Sequence, residues 1–437
     1  MKIAIVSAQS SPLTPVGGVE AGAQQVHVAA LATALGERGH AVTVYTRAAS
    51  PELPRRVRMC RGVTVEHVDA GPLAPLSEDE LVPHLAQFGR GLAASWAVDT
   101  PELVHSHFWS SGLVALAAAR EFDLPVVHSC HALGVVKHRH LGPAGNVSMT
   151  RRRLERAMVR QLDRLVASST DEAVELVRMG ADRRRITVLP RGVDTELFRP
   201  EGEQWTGSGR PRLVMASRLI PRKGIDTVLA ALSRIPDAEL FIAGGPIRSR
   251  LEENAFAQRL RGLAQQMRVA DRVEFLGSVD RRDLPTLYRS ADLMITTPWY
   301  EPYGTSALEA MACGVPVVAT EVGSLTDIVA DGSTGELLPI RRPDLLAGVV
   351  RRLLGDPVRR EAYGIAGADR ARVRYGWQRL AEGFELMYER TLRARYPEVG
   401  LDQELDGDEV EPGEESAEDT AAAEHGPARE RLEKALG

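Results

Sequence analysis

Residues 299–319 run Trp-Tyr-Glu-Pro-Tyr-Gly-Thr-Ser-Ala-Leu-Glu-Ala-Met-Ala-Cys-Gly-Val-Pro-Val-Val-Ala. An apolar stretch at 293–296 precedes this run and another, at 316–319, closes it, so strand, loop, helix and strand follow one another as in a βαβ unit. Gly304 is placed to open the helix and Gly314 to stop it. Free backbone N–H groups at Gly304, Thr305 and Ser306 would then face a cleft, where a diphosphate can sit on the helix N-terminus. Glu301 falls in the loop beside Pro302 and Tyr303, and Glu309 falls in the helix. Their separation lets one carboxylate reach a sugar and the other a ribose diol. A second reading competes: Ser306-Ala-Leu-Glu309 has the form of a capping box, in which Glu309 only closes the helix start.

The same alternation extends outward. In the C-terminal half, 212–217, 239–243 and 272–276 are further short apolar strands separated by helical segments. The N-terminal half opens with a β-branched apolar strand at 2–7, a Pro/Gly loop and a helix over 21–38. That helix carries Val26, Ala30, Leu31 and Leu35 at helical spacing and stops at Gly39, before a strand at 41–46. Strands at 103–106, 125–129, 164–168 and 186–189 continue the series, which halts near Phe198. The sequence therefore predicts an α/β protein with two doubly wound Rossmann-like domains facing across a cleft. The first spans 1–198 and the second 211–375, with a polar, Gly-rich linker at 199–210. Residues 376–397 are expected to form a helix crossing back to the first domain, and 398–437 an acidic, disordered tail. Within that tail, 429–436 has the makings of a short helix.

A chain of 437 residues suits two cores, and its composition is neither collagen-like nor that of a disulfide scaffold. The formal net charge of −5 is misleading. Residues 402–424 hold eleven carboxylates and no Lys or Arg, and without them the body carries 54 basic against 48 acidic residues, or +6. A basic body suits an anionic small ligand and does not by itself indicate nucleic acid. Cys60, Cys130 and Cys313 lack both disulfide-framework and zinc-ribbon spacing. No apolar run is long enough for a signal peptide or a membrane span, so the chain reads as soluble and cytoplasmic.

Other chemistries lose their signatures. No Gly-x-Gly-x-x-Gly follows the first strand, and neither Gly-x4-Gly-Lys-Ser/Thr nor Gly-x-Ser-x-Gly occurs, which argues against dinucleotide oxidoreductases, P-loop NTPases and α/β-hydrolases. Six of the eleven histidines lie between His105 and His140, but His128-Ser-Cys-His131 lacks zincin spacing, and no metal site is expected. Asp406-Gly407-Asp408 has the Asp-x-Asp form without a flanking strand and reads as incidental.

Taken with Gly17-Gly18-Val19-Glu20, His105-Ser106-His107-Phe108-Trp109, Arg191-Gly192-Val193-Asp194, Ser217-Arg218-Leu219 and Lys223-Gly224, the opening stretch resembles the retaining glycosyltransferases of family four. Over 1–392 that resemblance implies the GT-B fold and a Glu-x7-Glu motif at Glu301 and Glu309. It implies a UDP- or GDP-linked sugar as co-substrate, with no further cofactor and no metal. Arg218 and Lys223 would hold the departing diphosphate, Glu301 with Pro302, Tyr303, Gly304 and Thr305 the donor sugar, and Glu309 the ribose. Two fixed cations can stabilise a leaving diphosphate without a metal. The same resemblance puts His131 beside the donor sugar. Gly17, Gly18 and Gly22 would let the backbone approach the phosphates and the acceptor, or they form only a flexible turn.

Within that family the N-terminal half is similar to the D-inositol-3-phosphate glycosyltransferases of mycothiol synthesis. Their acceptor-gripping lysine, tyrosine, threonine and arginine correspond to Glu78, Phe108, Ala132 and Arg152 (beside Arg151), and a nearby histidine to Gln9. Lysine-to-glutamate reverses a charge, and Phe108 and Ala132 each remove a hydroxyl, at about 1.5–3 kcal/mol per charge-assisted bond to phosphate. The expectation drawn is a different small acceptor, such as an aminocyclitol or thiol in specialised-metabolite or antibiotic synthesis. Glycosylation of inositol phosphate, a nucleotide-sugar epimerase or hydrolase, and a non-catalytic nucleotide-sugar binder are the alternatives. A homodimer is left open.

Overall fold

The computed structural model describes residues 1–14, 23–142 and 147–396. One sheet holds β1 (Lys2–Val6), β2 (Ala41–Arg47), β3 (Arg56–Cys60), β4 (Val63–Val68), β5 (Leu103–His107), β6 (Val126–Ser129), β7 (Arg164–Ala167) and β8 (Ile186–Val188). Their order is β3-β4-β2-β1-β5-β6-β7-β8, parallel except where β3 runs against β4. The second sheet holds β9 (Arg212–Ala216), β10 (Glu239–Ala243), β11 (Val273–Gly277), β12 (Leu293–Thr296), β13 (Val317–Thr320) and β14 (Gly335–Leu338). It is parallel in the order β11-β10-β9-β12-β13-β14. Strand order reverses between β1 and β5 and again between β9 and β12, which opens a crevice at each set of strand C-termini.

Helices cover both faces, so the central strands are apolar throughout: Ile3, Ala4, Ile5 and Val6 of β1 and Leu293, Met294 and Ile295 of β12 are all buried. The last described helix, Trp377–Arg395, packs on the first sheet. Its Ala381, Phe384, Met387 and Tyr388 join Ile3, Ile5, Val28, Leu31 and Leu35 in one core. Each such large side chain contributes about 1.5–3 kcal/mol by leaving water. Glu385 of the same helix pairs with Arg38 at 2.5 Å and His40 at 3.1 Å.

Three strands, β3, β4 and β14, were not among the predicted ones. β3 is an arginine-bearing edge without a buried face, and β14 is four residues long. The 199–210 segment has no regular structure yet is pinned, because Arg212 donates to the carbonyls of Trp205 and Thr206, and Trp205 packs edge-on against Phe241. Gly17, Gly18, Gly22, Asp406-Gly407-Asp408 and the segments 398–437 and 429–436 lie outside the described residues. Among the described residues, no helix is long and apolar enough to cross a membrane.

Candidate active site

β9 and β12 are neighbours, so the loops that leave their C-terminal ends meet. Lys223 Nζ donates to Glu301 Oε2 at 2.5 Å, and both side chains are about nine-tenths buried. The approach depends on Gly224: its φ is 69°, and a Cβ there would lie 2.0 Å from the Thr297 carbonyl oxygen. Arg222 donates to the Tyr300 carbonyl at 2.6 Å and lies 4.0 Å from Glu301. The backbone N–H groups of Tyr303 and Gly304 reach Glu301 Oε1 at 3.4 Å. Burial would raise the pKa of Glu301, but Lys223, Arg222 and the Gly304 N–H outweigh it and hold the carboxyl below its usual range. The carboxylate thus occupies part of an anion-attracting nest. Arg218 stands exposed at its mouth, and its guanidinium forms no hydrogen bond or ion pair among the described residues.

Glu309 takes a different position. Helix Thr305–Ala312 has Gly304 as its N-cap, with φ 62° and no side-chain capping bond, so the capping-box reading falls. Glu309 Oε1 instead accepts from Arg281 at 2.5 Å and Oε2 from the Tyr288 hydroxyl at 3.2 Å. Burial raises its pKa, and Arg281 opposes that rise.

Across the cleft, β5 and β6 end in two residues with positive φ that are not glycine, Phe108 at 75° and His131 at 61°. Such backbone costs of order 1–3 kcal/mol and persists where packing over-determines it. Arg191 Nη2 donates to His131 Nδ1 at 2.6 Å, and His131 Nε2 meets His107 Nδ1 at 2.7 Å. Arginine can only donate, so neutral His131 carries its proton on Nε2 and gives it to His107. Both ring nitrogens of His131 are therefore committed within the protein, and neither is left as a free acceptor. The Arg191 guanidinium also lies 3.8 Å over the Tyr303 ring, which ties His131 to the Glu301 loop. His140 stacks on Tyr300 at 4.7 Å, and Ser168 Oγ donates to the Pro302 carbonyl, so the two halves meet along 300–303.

The predicted acceptor side converges on Arg151, the neighbour of Arg152. Arg151 Nη1 pairs with Glu78 Oε1 at 2.7 Å, Nε with Glu155 Oε1 at 2.9 Å, and Nη2 donates to the Ala132 carbonyl at 2.8 Å. Its guanidinium lies 4.9 Å from the Phe108 ring, and Trp109 Nε1 donates to Glu78 at 2.9 Å. Arg152 points away, against Met149. Gln9 sits half-buried in the turn after β1.

A groove of about 420 Å³ beside β11 contains none of these residues. Arg248 and Arg261, which line it, are paired with Glu274 and Glu252, and it plays no part in the site. Among the described residues, no group of three or more His, Cys, Asp or Glu side chains is arranged to hold a metal ion.

Residues 22–197 match the family model described as Glycosyltransferase Family 4, and residues 203–370 the model described as Glycosyl transferases group 1. A D-inositol 3-phosphate glycosyltransferase of Acidothermus cellulolyticus is 38% identical over 415 residues, covering 90% of this chain and 91% of its own. The chain belongs to glycosyltransferase family 4. D-inositol 3-phosphate glycosyltransferase 2 of Catenulispora acidiphila is 36% identical, over 91% of this chain and 98% of its own. Sucrose-phosphate synthase of Thermosynechococcus elongatus superposes with a TM-score of 0.80 at 30% identity, covering 90% of this chain and 99% of its own. HepE of Anabaena, solved with UDP and glucose, shares the fold at a TM-score of 0.67 and 19% identity, over 89% and 99%. The fold is GT-B, and the enzyme is a retaining transferase that uses a nucleotide-sugar donor.

Sequence reasoning reached Lys223, Glu301, Glu309, His131, Glu78, Phe108 and Ala132: in this family 4 transferase the first two pair, the last three surround Arg151, Arg191 joins His131 to the Glu301 loop, and Glu309 lies apart with Arg281 and Tyr288. It assigned no role to Arg222, Arg281, Tyr288, Trp109 or Glu155. For Glu155 a signal existed: Arg151, Glu155 and Met158 repeat at i, i+4 and i+7, marking the buried face of helix Met149–Met158. Arg281 and Tyr288 come from a separate segment with no local mark.

Proposed function

We propose that this transferase moves a hexosyl group, with retention, from a UDP-linked sugar to a cyclitol, and that D-inositol 3-phosphate is the acceptor to test first. The Lys223–Glu301 pair at the mouth of the second sheet, with Arg218 and Arg222 beside it, is the observation that carries the donor half of this reading. The cations would take up the charge that develops on the leaving diphosphate, Glu301 would orient the sugar, and Glu309 would fix the ribose once Arg281 yields one of its bonds. With no separate base aimed at the acceptor among the described residues, the leaving phosphate would take the proton from the acceptor hydroxyl as the new glycosidic bond forms on the same face. The acceptor half draws on relatives 34–38% identical that carry the inositol-phosphate name.

A second acceptor reading rests on one observation. Arg151 is shared between the carboxylates of Glu78 and Glu155, which leaves its surroundings with an excess of negative charge. That favours a neutral or ammonium-bearing cyclitol, or another small acceptor of specialised metabolism without a phosphate. Incubating the purified chain with UDP- and GDP-sugars against D-inositol 3-phosphate, myo-inositol and an aminocyclitol, with mass-spectrometric detection, separates the two. Transfer to the phosphate alone supports the first and transfer only to uncharged or cationic acceptors the second. Consumption of donor without any transfer would defeat both.

A further inference from the structure

Helix Met149–Met158 buries Arg151, Glu155 and Met158 and turns Met149, Arg152, Arg153 and Arg156 the other way, at the i, i+3, i+4 and i+7 spacing of one face. Arg160 follows directly and lies against Gly180. The basic surface continues into the turn Arg183–Arg185. Arg164 donates to the Arg184 carbonyl at 2.8 Å and Arg185 to the Leu162 carbonyl at 3.2 Å, so this turn abuts the end of the same helical segment. Arg120 joins through a 2.5 Å bond to Gln161. None of these arginines forms an ion pair among the described residues.

The nearby acids compensate them only in part. Asp123 and Asp163 share Arg395, and Asp182, which accepts from the Arg184 N–H, and Glu121 stand against nine arginines. Met149 is 60% exposed in the middle of this charge. An arginine face with this excess of positive charge is a site for an anionic partner.

The position of the chain's exit selects the partner. Tyr396 is the last described residue, and its hydroxyl donates to the Asp123 carbonyl at 2.6 Å, next to Arg120 and Asp163. Residue 402 is six positions further on, a reach of up to about 20 Å at ~3.3–3.6 Å per residue. Residues 402–424 carry eleven carboxylates and no Lys or Arg. We propose that this acidic segment docks on the arginine face of helix Met149–Met158 and the turn Arg183–Arg185 of its own chain. The docked segment lies behind the helix whose inner face holds Arg151 and Glu155, so it covers the back wall of the acceptor side.

The test uses the full chain with Val410→p-benzoyl-phenylalanine, irradiated at low and high salt and mapped by mass spectrometry. Docking is expected to give intramolecular cross-links to 149–160 and 183–185. Their yield should fall several-fold at high salt, where exposed charges are screened. It should fall likewise in a full-chain variant with Arg153→Glu, Arg156→Glu and Arg184→Glu, and to a smaller extent in the matching glutamine variant, which guards against misfolding by charge reversal. Cross-links elsewhere, links only between copies, or yields unmoved by either variant would overturn the proposal. So would sedimentation of the unsubstituted chain with phosphatidylglycerol vesicles through the same arginines in the absence of cross-links, which would assign the face to a membrane.

Discussion

Arg151 Nη1 lies 2.7 Å from Glu78 Oε1, and the same guanidinium holds Glu155 at 2.9 Å. One buried cation is thereby divided between two carboxylates, and three of its five N–H donors are given to Glu78, Glu155 and the Ala132 carbonyl. A dianionic acceptor would have to displace Glu78, which is the more exposed partner.

Glu78→Lys tests whether this division sets acceptor choice. Removing one carboxylate and adding a cation frees Arg151 for an incoming phosphate. The expected outcome is a rise of at least about tenfold in kcat/KM for D-inositol 3-phosphate relative to myo-inositol, since one charge-assisted bond is worth about 1.5–3 kcal/mol. An unchanged ratio would show that Glu78 does not meet the acceptor.

Lys223→Ala removes the cation closest to Glu301. If Lys223 stabilises the leaving diphosphate, kcat should fall by about 10²–10³-fold, the usual cost of losing one preorganised donor. Glu301 keeps Arg222 and two backbone N–H groups, so the far-UV circular dichroism should be retained. Turnover within a few-fold of the parent would sink the assignment.

The donor side was more legible in the sequence than the acceptor side, and the reason is geometric. Glu301, Gly304 and Glu309 lie within one strand–loop–helix unit, so local pattern fixes their relation, and only the rival capping box had to be discarded by finding Gly304 at the N-cap. Choosing between Arg151 and Arg152 requires knowing which helix face is buried, because adjacent residues point about 100° apart. Arg191 stood out only as part of a motif. Its bonds to His131 and over Tyr303 join three segments distant in sequence, and no spacing encodes that. The β3 edge escaped because its Arg56 and Arg58 break the continuous apolar run that marks the buried strands.

Arg191→Met tests the tautomer argument. Burial is the main cause depressing the pKa of His131, and the Arg191 charge is the next. Removing that cation raises the pKa of His131, so its protonated fraction grows as pH falls. Burial still holds His131 below the ordinary histidine value, so the variant should show an acid limb in its activity profile that begins at a higher pH than any in the parent. Nitrogen-15 spectra of labelled histidine should show the Nε2–H tautomer of His131 in the parent and its loss in the variant. Arg191→Lys keeps a donor to Nδ1 and should preserve the tautomer. Matching spectra for the parent and the methionine variant would refute the Arg191 control of His131.

The buried histidines also set the acid limit of the fold. His27, His105, His107, His128 and His131 are all buried, and burial holds His105 and His128 down to about 3. The unfolded chain binds protons at these sites below about pH 6.5, and the native state does not. Stability is therefore present in full above that pH and falls as pH drops below it, by about 1.4 kcal/mol per unit for each neutral histidine. Between about pH 6.5 and 5.5 ordinary carboxylates remain ionised, so histidines dominate the slope in that window. His128 bonds only Ser106 through Nδ1, and its Nε2 has no partner among the described residues, which makes His128→Gln the cleanest probe. Urea unfolding at several pH values across that window should give the variant a slope shallower by about 1 kcal/mol per unit, because an unfolded histidine goes from half to about nine-tenths protonated there, whatever the variant's absolute stability. A slope equal to the parent's would mean that native His128 titrates like an exposed histidine, contrary to its burial.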